Sequence, residues 1–223
     1  MRISIVVPVL DEAQSLPHLL TQLGQFAQQG VEVALVDGGS TDRTPELAER
    51  AGLPVIRSER GRARQMNAGA AHACGDILVF LHADTELPPD GLQRIRSSLQ
   101  EGYVWGRFDV RIAGHPAMLK VVARMMNWRS RLTGIATGDQ AIFMTRGAYR
   151  RVGGFPEQPL MEDIEMSRRL RTLSRPACIS SRVTTSGRRW ETHGVWRTIF
   201  LMWRLRWAYW RGRPASELAE AYR

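Results

Sequence analysis

The chain is poor in cysteine. Cys74 and Cys178 are the only two in 223 residues, and they share no spacing that suits a disulfide framework or a metal knuckle. Cys74 falls in a small-residue segment and Cys178 in a short apolar one, so both read as buried thiols and a reducing compartment is expected. Long hydrophobic runs are missing too. No stretch of about 18 uncharged apolar residues occurs, so no membrane-spanning helix is expected. The opening run IVVPVL is short and meets Asp11-Glu12 at once, so no signal peptide is expected and the expected location is cytoplasmic. Internal repeats, low-complexity segments and an obvious interdomain linker are absent. Acidic residues are outnumbered: 22 Asp and Glu face 31 Lys and Arg, a formal net charge of +9. That surplus implies an anionic partner, either nucleotide phosphate, nucleic acid or an acidic membrane surface. No recognised nucleic-acid module is present, so nucleic acid is not the expected one.

What is present suits one α/β domain. Apolar residues make up 43% of the chain, enough for a sizeable core. The most informative stretch is Asp76 to Asp84, DILVFLHAD, a near-continuous apolar run that ends in His82-Ala83-Asp84. Such a run reads as a strand buried on both faces of a parallel sheet. Ligands of open α/β sheets bind beyond the carboxyl ends of these strands. A carboxylate and an imidazole two residues apart at that edge can reach one cation, and Asp oxygen suits Mg²⁺ or Mn²⁺. Further strands are expected at Ile3 to Val9, Val31 to Asp37 and Val55-Ile56, with helices at Leu16 to Gln28, Thr44 to Ala51 and Gly61 to Ala73. This alternation predicts a doubly wound, mostly parallel sheet flanked by helices. In the second half, Tyr103 to Ile112 reads as an exposed or edge strand and Ala141 to Thr145 as another. Ala177 to Ser186 reads as short strands. Ala117 to Leu132, with Met118, Val121, Val122, Met125 and Leu132, suits a helix, as does Glu162 to Thr172.

Four segments line up in order: IVVPVLDE (Ile5 to Glu12), VDGGSTDRT (Val36 to Thr44), FLHADTELP (Phe80 to Pro88) and GGFPEQPLMEDIEMSRRL (Gly153 to Leu170). Together they resemble the family-2 inverting glycosyltransferases with the GT-A fold, over roughly residues 1 to 190. More narrowly the chain is similar to a small bacterial subgroup with FLHADT and RRWE patterns. The resemblance implies transfer of a sugar, with inversion, from a nucleotide-diphosphate donor (a UDP- or GDP-sugar) to a hydroxyl acceptor. It also implies a Mn²⁺ or Mg²⁺ ion on the donor. Pro8, Leu10 and Glu12 would line the nucleotide base and ribose. Asp37, with Gly39 in the turn behind it, would accept from uracil or ribose. Many relatives have Asp-Asp-Gly-Ser where this chain has Asp37-Gly38-Gly39-Ser40, so one carboxylate is missing. The structural alternative is a plain strand-to-helix turn capped by Ser40 or Asp42. Arg62, Arg64 and Asn67 fall where relatives contact the nucleotide or diphosphate, against the alternative of a solvated basic face. His82-Ala83-Asp84 occupies the position of an Asp-x-Asp motif; Asp84 would bind the metal, and His82, in place of Asp, would contact ribose or tune the site. Glu162-Asp163 matches the family's acidic pair, with Asp163 as general base and Asp139 as a further candidate. The alternative is that these acids merely favour a helix N-terminus.

His193 would supply a late metal ligand, and Arg189, with Arg188, would hold diphosphate while Trp190 stacks on the acceptor. Residues 195 to 213, VWRTIFLMWRLRWAYWRGR, place Trp196, Phe200, Trp203, Trp207 and Trp210 at helical spacing, with Arg197, Arg204 and Arg211 every seven residues. That pattern suits an anionic membrane surface at the inner face of the cell membrane, and with it a lipid-linked acceptor. The alternative is packing onto the catalytic domain or onto a second subunit of a homodimer. The expected division is a catalytic domain at 1–190 and an amphipathic helical extension at 191–223. Two other functions compete. A nucleotidyltransferase would open with a Gly-rich basic loop where this chain has Pro-Val-Leu-Asp-Glu. A non-enzymatic basic binder would have no need of Asp84 and Asp163 together.

Overall fold

Period-two burial in the first strand sets the frame. In β1 (Ile3–Val9), Ile3, Ile5, Val7 and Val9 enter one core layer and Val6 enters the other. The computed structural model describes residues 1–222. β2 (Glu32–Asp37), β3 (Val55–Arg57) and β4 (Ile77–Phe80) join β1 in parallel, linked by α1 (Leu16–Gln28), α2 (Thr44–Arg50) and α3 (Arg62–His72). Each strand is a nearly pure apolar run because helices cover both faces.

The chain then adds β5 (Thr85–Glu86), α4 (Gly91–Gln100), β6 (Trp105–Ala113), α5 (Met118–Thr133), a 3₁₀ turn at Gly138–Gln140 and β7 (Ile142–Thr145). After these come α6 (Arg146–Arg151), α7 (Glu162–Arg171) and β8 (Ala177–Ser186). The eight strands run in the order β3-β2-β1-β4-β7-β6-β8-β5. β4–β7, β6–β7 and β5–β8 pair antiparallel and β6–β8 parallel, so the parallel arrangement holds in the first half and the whole sheet is mixed. Buried side chains of α1, α4 and α5 pack on one face, and those of α3 and α7 on the other. α8 (Arg188–His193), α9 (Val195–Trp210) and α10 (Ala215–Tyr222) complete the described chain.

Three expectations are corrected. β6 is interior, not an edge, lying between β7 and β8. Its polar residues mislead because Arg107 is fully buried in an ion pair with Asp109, which Arg131 of α5 also engages at 2.8 Å. Asn127 completes that network by bonding both the N–H and the C=O of Val110. Ala177–Ser186 is one ten-residue strand whose register jumps between Phe108 and Asp109, and that irregularity breaks its alternation. Cys74 is exposed rather than buried, since it sits just past the end of α3 in the turn to β4. In α5, Leu119 and Ala123 point inward, whereas Val121, Met125 and Leu132 are exposed.

α3 lies unusually close to the sheet. A Cβ on Gly69 would sit 2.3 Å from a methyl of Val6 and 2.8 Å from one of Val36. Gly24 in α1 has nothing within 4 Å of the same position. Alanine gains about 1 kcal/mol over glycine in a helix interior, but overpacking costs about 1–3 kcal/mol. Gly24→Ala should therefore raise the urea midpoint and Gly69→Ala should lower it, and equal shifts in the two would contradict this packing.

Candidate active site

The strand order places a reversal between β1 and β4. From β1 the chain winds outward to β2 and β3, then returns to the other side of β1 as β4. Loops leaving the carboxyl ends of two such strands diverge and leave a crevice. A cavity of about 300 Å³ lies there, lined by Pro8 near the end of β1 and Glu12 after it, and by His82, Ala83 and Asp84 after β4. β5 fixes the floor: Thr85 pairs with Thr185 of β8, and the amide of Ser186 donates to the carbonyl of Asp84.

The far wall comes from the 3₁₀ turn and the start of α7. The amide of Gly138 donates to Asp163 Oδ2 at 2.9 Å, and Asp163 Oδ1 accepts from the amide of Ile164 at 2.7 Å. His82 packs on the backbone of Gly138, where a Cβ would fall 2.1 Å from its ring. Its Nδ1 lies 3.5 Å from Asp139 Oδ1. Burial works against the charge on Asp139, yet the His82 contact, with Arg62 and Arg206, holds its pKa below the ordinary carboxylate value. Glu162 is buried and paired with Arg62 at 3.2 Å; burial raises its pKa despite that arginine, and Asp163 adds to the rise. Burial likewise raises Asp84, which His82 opposes and Asp139 and Glu12 reinforce. Among the described residues, the non-glycine positions with positive φ are Asp11 at +53°, Ala141 at +47° and Met161 at +65°. Each sits within two residues of a cavity-lining acid, where stored backbone strain is characteristic of ligand sites.

Cations close the cavity from the C-terminal side. Arg188 pairs with Glu12 at 3.3 Å. Arg189 donates to the carbonyl of Tyr222 and lies 3.7 Å over its ring. Arg206 of α9 enters the same cavity, and its Nε has no hydrogen-bond partner among the described residues. The arm is held down by a small apolar cluster of Leu160 and Met161 with Leu205 of α9 and Leu218 of α10.

Of the residues singled out from sequence, Pro8, Glu12, Arg62, His82, Ala83, Asp84, Asp139, Glu162, Asp163 and Arg189 line this one cavity. Leu10, Asp37, Gly39, Arg64 and Asn67 do not. Asp37 accepts from the amides of Gly39 and Ser40 and from the Ser40 hydroxyl, so its carboxylate closes its own turn. Arg64 is drawn outward to Glu59 and Glu157. Asn67 braces the turn before Phe155, bonding that residue's N–H and C=O and the Tyr149 hydroxyl. His193 is not brought beside Asp84. It ends α8 with its Nδ1 against the carbonyl of Arg189 and lines a separate cavity of about 550 Å³ with Arg197 and Arg204. Sequence reasoning missed Arg206 and Tyr222. Arg206 was the tail arginine out of step with the seven-residue row, which placed it on the inward side of the helix.

No preformed group of three or more His, Cys, Asp and Glu side chains suited to a metal occurs among the described residues. The donor chemistry still fits a hard divalent ion held by one or two carboxylates and completed by substrate phosphate. Asp84 faces Asp139 and Glu12, like charges that an added cation would relieve.

Residues 4–152 match the family described as Glycosyl transferase family 2. Undecaprenyl-phosphate 4-deoxy-4-formamido-L-arabinose transferase of Yersinia enterocolitica is 32% identical over 164 residues, covering 67% of this chain and 49% of that protein. The chain thus spans about half the length of the curated relatives it matches. Among solved structures, the mannosyltransferase PcManGT from Pyrobaculum calidifontis, in complex with GDP-Man and Mn²⁺, aligns with a TM-score of 0.67 at 24% identity, over 93% of this chain and 61% of that one. S. aureus TarS in complex with UDP-GlcNAc aligns at 0.65 and 19% identity, over 83% of this chain and 58% of that one. These likenesses give the GT-A fold, a mixed α/β sheet flanked by helices. With the match to 4–152 spanning well over half of its length, the chain belongs to glycosyl transferase family 2.

Proposed function

We propose that this chain transfers a glycosyl group, with inversion, from a nucleotide-diphosphate sugar to the phosphate of a lipid-linked acceptor. The observation that carries the reading is the composition of one cavity. Asp84, Asp139, Glu162 and Asp163 meet Arg62, Arg188, Arg189 and Arg206 at the reversal point of the sheet. The relatives' name supports the acceptor class, and nucleotide-sugar complexes of proteins with the same fold support the donor.

The donor takes the β1–β4 side. Asp84 would hold a Mn²⁺ or Mg²⁺ ion with the diphosphate, and such an ion neutralises charge building on the departing nucleotide. Arg188 and Arg189 stand where they can receive the same phosphates. The acceptor takes the α9 side. A hydroxyl loses its proton as it attacks and needs a base, for which Asp163 is the best-placed carboxylate. A phosphate monoester, with a second pKa near 6, brings its own negative oxygen and needs a cation to hold it. The Nε of Arg206, which has no hydrogen-bond partner among the described residues, near the charges of Asp139 and Asp163, favours the phosphate, in place of the hydroxyl expected from sequence. Asp163 then holds the Gly138 amide and so positions the His82–Asp139 pair. The hydroxyl reading, with Asp163 as base, is the second one.

Three outcomes follow. Asp84→Asn should abolish Mn²⁺-dependent nucleotide binding in calorimetry. It should also raise the melting temperature of the metal-free protein at pH 7. The sign is fixed by linkage: the folded pKa lies above the unfolded one, so ionised Asp84 costs stability at neutral pH and that cost vanishes as pH falls below the unfolded value. Unchanged nucleotide affinity would remove Asp84 from the site. Arg206→Gln should raise KM for a polyprenyl phosphate by roughly tenfold or more, the scale of one lost charged hydrogen bond, with donor affinity intact; an unchanged KM refutes the acceptor placement. Asp163→Asn should slow transfer to a phosphate acceptor by well under the roughly hundredfold or more that loss of a general base costs. A larger fall favours the hydroxyl reading.

A further inference from the structure

Nine of the exposed large hydrophobic side chains lie on two helices. α5 exposes Val121, Met125, Trp128 and Leu132; α9 exposes Trp196, Phe200, Trp203, Trp207 and Trp210. The spacings i, i+4, i+7 and i+11 make each set a single stripe along its helix. Five of the chain's seven tryptophans are in these stripes.

At roughly 100° per residue, each stripe has a row of cations on one flank. On α5 that row is Lys120, Arg124 and Arg131; on α9 it is Arg197, Arg204 and Arg211, each following a tryptophan or one turn from it. All six are exposed, though Arg131 is also paired with Asp109, and neither helix contains an acidic residue. The opposite flanks carry Arg129 on α5 and Arg206 on α9. Burial, reinforced by the like charge of Arg206, pushes the Arg129 pKa down to about 10. Arg129 Nε and Nη2 and Arg206 Nε have no hydrogen-bond partner among the described residues. On each helix, therefore, one flank of the stripe carries a half-buried arginine and the other flank carries the exposed cation row.

We propose that α5 and α9 together form a two-helix platform that seats this chain on an anionic bilayer, α5 contributing as much as the tail. Tryptophan is favoured at the membrane interface, and rows of basic side chains along an apolar face match anionic headgroups. A two-fold dimer through the same face fits poorly, because both outer edges are cationic and would meet like charge. No helix is long and apolar enough to cross a membrane, so the platform lies in the interface plane. The proposal deepens the lipid-linked acceptor reading and rests on it for its purpose: Arg206, on the flank of the α9 stripe, also lines the acceptor side of the cavity.

The test uses a double variant on the helix that the catalytic reading does not involve, Met125→Ser with Trp128→Ser. Both side chains are more than half exposed, so the fold should be retained, as nucleotide binding and melting temperature will report. The wild-type chain should co-sediment with vesicles of phosphatidylglycerol and phosphatidylcholine and not with phosphatidylcholine alone. The variant should partition about tenfold or more weakly, because the apolar contact with the interface is lost. Its transfer to a short-chain, water-soluble polyprenyl phosphate should be unchanged; failure of that reaction in the wild type would count against the catalytic reading alone. Equal vesicle binding by variant and wild type overturns the platform, as does a wild type that ignores anionic vesicles. A wild-type dimer that the variant converts to a monomer, seen by light scattering, assigns the face to a second copy instead.

Discussion

Charge balance at the open end of the sheet is the constraint on which the rest depends. Placing the buried Glu162 and the half-buried Asp84 beside two further carboxylates is unfavourable unless cations stand close. The chain meets this with arginines drawn from distant segments: Arg62 at the start of α3, Arg188 and Arg189 in α8, and Arg206 in α9. The C-terminal helices are thus electrostatic partners of the catalytic wall, fastened by Leu205 and Leu218 against Leu160 and Met161. Removing α8 to α10 would leave Glu12 without Arg188 and expose that apolar cluster.

The same balance underlies the proposal that the site takes anionic substrates on two sides. In that proposal Asp84 and the β1–β4 crevice would take a metal-bound diphosphate, and Arg206 a second anion near Asp163. A phosphate nucleophile and a diphosphate leaving group repel one another, and the four guanidiniums of the cavity, with a divalent ion, would offset that repulsion. The +9 of the whole chain is instead displayed outside, much of it along α5 and α9.

Much of the first half was legible because its physics is local. Apolar runs such as Ile77–Phe80 can only be doubly buried strands, and the helices between them carry Pro17 and Pro45 in their first turns. Asp84, Glu162 and Asp163 were legible from motif position. The second half hid its design in long-range pairing. Arg107 and Asp109 look like surface residues until Asn127 and Arg131 are brought over from α5. His193 looked like a metal ligand, yet the turn at Gly194 and its bond to the Arg189 carbonyl aim it at another cavity. Asn67 looked like a phosphate contact and is a brace. The apolar spacing of α5 predicted a helix, but spacing alone cannot say whether an apolar stripe faces the core or an interface.

The attacking atom we propose is a phosphate oxygen on a lipid. It is tested most directly by offering matched short-chain polyprenyl phosphate and polyprenol to the enzyme, with Mn²⁺ and a panel of labelled UDP- and GDP-sugars, and counting label in the lipid product. The account predicts transfer to the phosphate and none to the alcohol, whichever sugar proves active. Transfer to the alcohol with none to the phosphate would contradict it.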